Sequence, residues 1–422
     1  MKMNLKTCHR FFATAFVYYL TCMTSAVVAG EPSVLEIPTN PVAMPVAVLI
    51  GKNFNQHRAA HFELIELDAT NIGLNLALPV QIIPAAGEDG TLSEGDQQLL
   101  VMIPPNDTAR RTRRFRPQPS KNKPLNQFRF EAISEASLGI WQGDQPVMAY
   151  NHGKITDQRV PKDDHRRHRH GCYIHPVWGL DGEVITDDFP KDHYHHHGIF
   201  WTWPHVRIGK EEYDLWTYSN IEQRFVRWIH RETGPIAAVL AVENGWYVGA
   251  RQVMIERVWI RTFAAQGGRR AIDISMTWIP MDRAITLQGA AGKSYGGLTM
   301  RFASRDDKHT TITVPAGRAT EDLPDTPLPW ADYTSQFVGT QALSGATVMI
   351  PPTHPDFPPS WLTRHYGALC VGYPGVQAKS FPAGKAFTLN YRVSVHGDSA
   401  QLENLKQDYN AYTSAMKVHW SE

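Results

Sequence analysis

Phe387-Thr388-Leu389-Asn390-Tyr391-Arg392-Val393-Ser394-Val395 alternates apolar and polar residues from end to end. A period of two is the mark of a strand with one face buried, because successive side chains leave opposite sides of the backbone. The same pattern recurs upstream. Ile272, Ile274, Met276 and Trp278 alternate with Asp273, Ser275 and Thr277, and Leu298, Met300 and Phe302 alternate with Thr299 and Arg301. Clean alternation favours antiparallel sheets. The 29 prolines and 31 glycines punctuate these runs, and few helical patterns separate them. The expectation is an all-β chain built as a large antiparallel β-sandwich, not an α/β enzyme.

Outward from these strands the chain divides. Leu402, Leu405, Tyr409, Tyr412 and Met416 recur at three- and four-residue spacing. Residues 401–422 are therefore predicted to hold a C-terminal helix that packs on the sheet. Residues 126–400 form the main domain, opening with candidate strands Phe128–Ile133 and Leu138–Trp141. Residues 105–125 carry Arg110, Arg111, Arg113, Arg114, Arg116, Lys121 and Lys123 among prolines, and read as a basic, solvated linker. Residues 30–104 form a small β-rich unit with candidate strands Phe62–Leu67 and Leu99–Ile103.

Residues 1–29 read as a signal peptide. Lys2, Lys6 and Arg10 precede the apolar run Phe11–Leu20, and small residues lead to cleavage after Ala29. No later stretch approaches the roughly twenty apolar residues of a membrane helix. The expectation is export to the periplasm or medium without integral membrane association, the oligomeric state being open. A formal net charge of +1 gives no overall reason to bind nucleic acid. Cys8 and Cys22 fall in the signal, and Cys172 and Cys370 are read as two buried thiols.

Chemistry is densest from Asp192 to Trp203, Asp192-His193-Tyr194-His195-His196-His197-Gly198-Ile199-Phe200-Trp201-Thr202-Trp203. Read as one strand, it puts His193, His195, His197, Trp201 and Trp203 on one face and Tyr194, His196 and Phe200 on the other. Gly198 is a candidate bulge that would change that parity. Three readings compete. Histidine exchanges protons near neutral pH, and indole faces suit the C–H side of a sugar ring, which together give acid–base chemistry on a carbohydrate. His193, His195 and His197 have the spacing for a divalent metal. The third reading is a hydrogen-bonded structural core. The first is preferred, with no cofactor expected. The upstream tract Asp163–His170 lacks apolar residues and reads as a flexible loop bordering the site.

Tyr173-Ile174-His175-Pro176, Gly179-Leu180-Asp181-Gly182-Glu183-Val184, Asp187-Asp188-Phe189-Pro190 and Asp192–Trp201 also occur together as a signature. Gly296–Arg301, Trp330-Ala331-Asp332-Tyr333, Thr353-His354-Pro355-Asp356 and Arg364-His365-Tyr366-Gly367 follow in order. In these motifs residues 126–398 resemble the bacterial family catalogued as methane oxygenase PmoA, a PmoA-like domain of unknown function. The resemblance implies a β-sandwich related to galactose-mutarotase-like supersandwiches, in exported carbohydrate-degradation systems. It does not imply methane oxidation, because particulate methane oxygenase subunits span membranes many times. His197 is a departure, since relatives often carry arginine there, and that moves weight to His193, His195 and His196.

The resulting expectation is a site assembled from several strands. His195 or His196 is the general acid, with His193 beside them and Asp192, Asp332 or Glu183 as partner base. Trp201 and Trp203 form the platform, and Arg301, His354, Arg364, Tyr366 and His175 bind substrate. Arg301 is placed on the polar side of its strand, Asp332 in a loop after Trp330, and Gly296-Gly297 before a strand, where it cannot form a phosphate loop. A carbohydrate-binding protein without catalysis is the alternative.

Overall fold

A computed structural model of the chain describes residues 33–50, 61–106, 112–169, 171–397 and 400–421. The segment read as a signal peptide, residues 1–29, and His170 lie outside the described residues. Two nine-stranded antiparallel sheets dominate. The first, called here the site sheet, runs in the order Thr326–Pro327, Ser360–Arg364, Ala368–Val371, Gly297–Arg301, Ile199–Thr202, Tyr173–Val177, Gln145–Asn151, Ser137–Gln142 and Phe128–Ser134. The second, the middle sheet, contains Ala237–Val248, Arg251–Phe263, Arg269–Pro280 and Phe387–His396 as consecutive neighbours. Ile174, Ile199, Trp201, Leu298 and Val371 of the site sheet share one core with Leu240, Val258, Ile274 and Val393 of the middle sheet. The expected all-β sandwich is what the chain forms.

The middle sheet is covered on its other face as well. Val239, Ala241 and Trp259 pack with Ile83 and Leu100 of the N-terminal region. This double burial explains why Ala237–Val242 is apolar throughout instead of alternating. It also buries Asp273 and Arg392, on adjacent strands, as a bidentate ion pair at 2.6 and 2.9 Å beneath Tyr412.

The N-terminal region is a seven-stranded sheet enclosing its own core of Leu35, Val46, Leu64, Val101 and Phe115. Here the linker expectation fails. Thr112–Pro119 is an internal strand between Phe62–Leu67 and Val34–Pro38. Phe115 points into the core, Arg113 on the same face is buried and neutralised by Glu66 at 2.8 Å, and only Arg114 and Arg116 mark the other, half-buried side of the strand. The helix Leu402–Ala415 forms as expected, burying Leu405 and Tyr412 against Trp330 and Met349. A last strand, His419–Ser421, then pairs with Val34–Pro38. Cys172 and Cys370 are both buried and unpaired. No helix among the described residues is long and apolar enough to cross a membrane.

Candidate functional site

The floor of the site follows from strand register. Phe200 lies opposite Thr299, Thr299 opposite Cys370, and Cys370 opposite Leu362, one row across four neighbouring strands. Arg301, Ala368 and Arg364 form the next row. Leu298, Met300, Leu369 and Val371 point into the sandwich core, so these two rows face outward. Above them lies a cavity of about 290 Å³ walled by His193, His195, His196, Trp216, Tyr295 and Tyr366, with Lys293, Asp214, Thr217, Arg364 and Cys370 also in its lining.

The histidines reach this wall from a loop, which corrects the single-strand expectation. Only Ile199–Thr202 is strand. The preceding residues make two tight turns, closed by His193 N–H to Pro190 O and His196 N–H to His193 O, both at 2.9 Å. Turn geometry replaces alternation with convergence. His193 stacks on His196 (4.6 Å between ring centroids, 9° apart) and on Tyr366 (5.1 Å, 13°), while His195 meets His196 edge-on at 4.7 Å. His197 turns the other way. It donates Nδ1–H to Asp188 and lies between Tyr173 and Phe189. The metal trio His193, His195 and His197 therefore does not converge, and among the described residues no group of three or more His, Cys, Asp or Glu is placed to hold a cation.

His193 donates Nδ1–H to Asp192 Oδ2 at 2.9 Å, and both Asp192 oxygens accept from Arg301 Nη2 at 2.8 and 2.9 Å. Burial works against ionising Asp192, but the bonds from His193 and Arg301 prevail and hold its carboxyl below the ordinary range. Burial, reinforced by the neighbouring imidazoles, pushes His195 down to about 3, and it pushes His196 well below the usual value. His195 Nδ1 and His196 Nδ1 are buried without a partner, as are Arg301 Nε and Nη1. Burial raises the Cys370 thiol to about 11, which makes it an inert wall residue.

Several expected site residues lie elsewhere. Trp201 and Trp203 are fully buried in the sandwich core. Trp203 donates Nε1–H to Tyr373 O and packs on Trp246 and Trp278, so neither indole is a sugar platform. Asp332 sits in the strand Trp330–Phe337 of the middle sheet, not in a loop. It accepts from Thr334, Thr347 and His396, which commits it to the core. Glu183 closes the Gly179–Glu183 turn, accepting from Asp181 N–H at 3.2 Å, and is outside the cavity lining. His354 packs on Tyr373 and Tyr391, where burial lowers it to about 4. His175 bonds to Thr186 at 3.0 Å. Arg364 and Tyr366 do line the cavity.

Of the tract Asp163–His170, residues Asp163–Arg169 border the site as expected and are held by side-chain contacts in place of a flexible loop. His165 Nε2 bonds to Thr217 O, Arg166 covers the Tyr194 ring, and Arg169 is buried against Tyr173 and Tyr218. Sequence reasoning missed Asp214, Trp216, Thr217, Lys293 and Tyr295. Tyr295 carried a usable signal, since it directly precedes the Gly296–Arg301 motif. Trp216 carried none beyond its residue type. A family model described as "Family of unknown function (DUF6807)" matches residues 138–410, a span that includes every residue of the cavity lining. No curated protein matches the chain.

Proposed function

The chain belongs to the family of unknown function DUF6807, and on the geometry of its cavity we propose that it binds a sugar or sugar derivative there and transforms it by proton transfer. The observation that carries the proposal is the Arg301–Asp192–His193 chain at the cavity wall. An imidazole whose Nδ1–H is bound to a carboxylate offers Nε2 to a ligand as a proton acceptor, and gives the proton back from the same atom. Stacking on both faces, by His196 and Tyr366, fixes the plane in which Nε2 works. This moves the acid–base role from His195 and His196 to His193. Burial keeps those two imidazoles neutral, which suits them to accept or donate single hydrogen bonds to hydroxyls.

Tyr295, Trp216 and Tyr366 take the aromatic role first given to Trp201 and Trp203. Tyr295 and Trp216 lie 4.6 Å apart and face the same space. Hydrolysis by a pair of free carboxylates is disfavoured, since Asp192 is held by Arg301 and Asp214 accepts from Thr217 through both oxygens. Epimerisation or elimination needs one positioned base and fits better. No metal enters the proposal, because stacked imidazoles direct their nitrogens along parallel planes and not onto one cation. Export and carbohydrate degradation as the setting remain part of the same proposal.

A thermal-shift screen of neutral sugars, uronates and keto-sugars, followed by product analysis, tests this reading. Parent protein should be stabilised by at least one of them and should convert it, whereas His193→Asn should bind without conversion. Equal conversion by His193→Asn would refute the assignment. Binding with no conversion by the parent would favour the alternative, a carbohydrate-binding protein without catalysis.

A further inference from the structure

We infer that the ligand of the histidine cavity carries a carboxylate held by Lys293 and Arg364, so that uronic acids are preferred to neutral sugars. The inference rests on the sugar-binding reading above and adds the substrate class. Lys293 lines the cavity and is exposed, and among the described residues no carboxylate pairs with it. Arg364 stands in the same outward row as Arg301, with only the methyl of Ala368 between them. Of its guanidinium, Nη1 is bonded to Asp322 Oδ2, at 3.0 Å. Asp322 also serves His365, accepting from its backbone N–H and from Nδ1, so its charge is shared between two partners.

The carboxylates nearby are already engaged. Asp214, the one in the lining, accepts from Thr217 N–H at 3.0 Å and Thr217 Oγ1–H at 2.7 Å within its own turn. Asp192 is bound to Arg301 and His193. Against the single charge of Asp214, the lining thus presents an unpaired ammonium and a partly free guanidinium, beside His195 and His196, which burial holds neutral. A carboxylate is the ligand group that answers both cations with charge-assisted hydrogen bonds. Such bonds are worth enough to favour the anionic ligand by about tenfold or more over its neutral counterpart.

Calorimetric titration of the full chain with digalacturonate against galactobiose, and glucuronate against glucose, provides the test. The uronate of at least one pair should bind about tenfold more tightly. Lys293→Met should remove most of that preference, with an unchanged melting temperature, while Lys293→Arg should keep it. Equal affinity for uronate and neutral sugar, or a preference untouched by Lys293→Met, would overturn the carboxylate inference and leave the sugar-binding reading standing. Absence of binding by every member of both pairs would count against both.

Discussion

Asp192 accepts hydrogen bonds from His193 and Arg301 at once, so a neutral amide there loses the charge but keeps the shape. Asp192→Asn is expected to lower turnover by about a hundredfold or more, the usual worth of a positioned acid–base group. Sugar affinity should change far less. Steady-state kinetics on the converted ligand check this, and an unchanged kcat would remove Asp192 from the mechanism. Trp203 belongs to a different account. With its indole packed on Trp246 and Trp278, Trp203→Ala should cost roughly 3–5 kcal/mol in denaturant unfolding. A variant as stable as the parent but weak in sugar binding would restore the platform role. Acid stability offers a third check. His195 and His196 hold fewer protons folded than unfolded, so their contribution is complete above about pH 6.5 and is lost as pH falls below it, for His195 down to about 3. Asp188 opposes them, because burial raises it to about 6 and its contribution shrinks as pH rises from about 4 to 6. Melting temperature should therefore fall less steeply between pH 6.5 and 4.5 in a His195→Gln, His196→Gln double variant. Parallel curves would contradict the burial assigned to these rings. The sequence made the cluster conspicuous but could not tell His193 from its neighbours, since Arg301, which anchors Asp192, is 109 residues away.

Gly198 decides how the histidine loop becomes a strand. Its φ is +30°, and a Cβ there would fall 2.0 Å from the Ile174 carbonyl oxygen and 2.7 Å from His175 Cβ. Its N–H bonds to Asp187 O, and its carbonyl accepts from Arg301 N–H, both at 2.7 Å. Gly198→Ala should therefore destabilise the protein by about 1–3 kcal/mol and misplace Arg301 with the loop. Circular dichroism melting checks the first effect and sugar titration the second; a variant normal in both would show that the close approach is not needed. At this scale the sequence read well where the two faces of a strand differ in polarity. Phe62–Leu67 was legible because one face is buried and the other only partly, and Phe387–His396 because its polar residues alternate with apolar ones even though Tyr391–His396 is buried on both faces. It read badly in two other places. The loop around His193 borrowed an apparent alternation from the strand that follows it, and the arginines of Thr112–Pro119 resembled a solvated linker although Glu66 neutralises one of them.

Across the whole molecule, three stacked sheets bury the middle one on both sides, and the two ends of the described chain meet where His419–Ser421 pairs with Val34–Pro38. Composition and periodicity foretold the sandwich, but not this closure, which depends on pairing between opposite ends of the sequence. Deleting residues 402–421 would uncover Trp330 and Met349 and leave Val34–Pro38 as an open edge. The shortened protein should aggregate or become protease-sensitive, and a soluble, protease-resistant product would argue against that role for the segment. Whether a sugar ligand sits on His193 is decided by ¹⁵N-histidine NMR during titration with digalacturonate, glucuronate, galactobiose and glucose. At least one of them should move the His193 Nε2 resonance while that of His197, turned away toward Asp188, stays in place. Titrations that leave His193 unmoved, or that shift only histidines outside the cavity, would contradict a sugar site there.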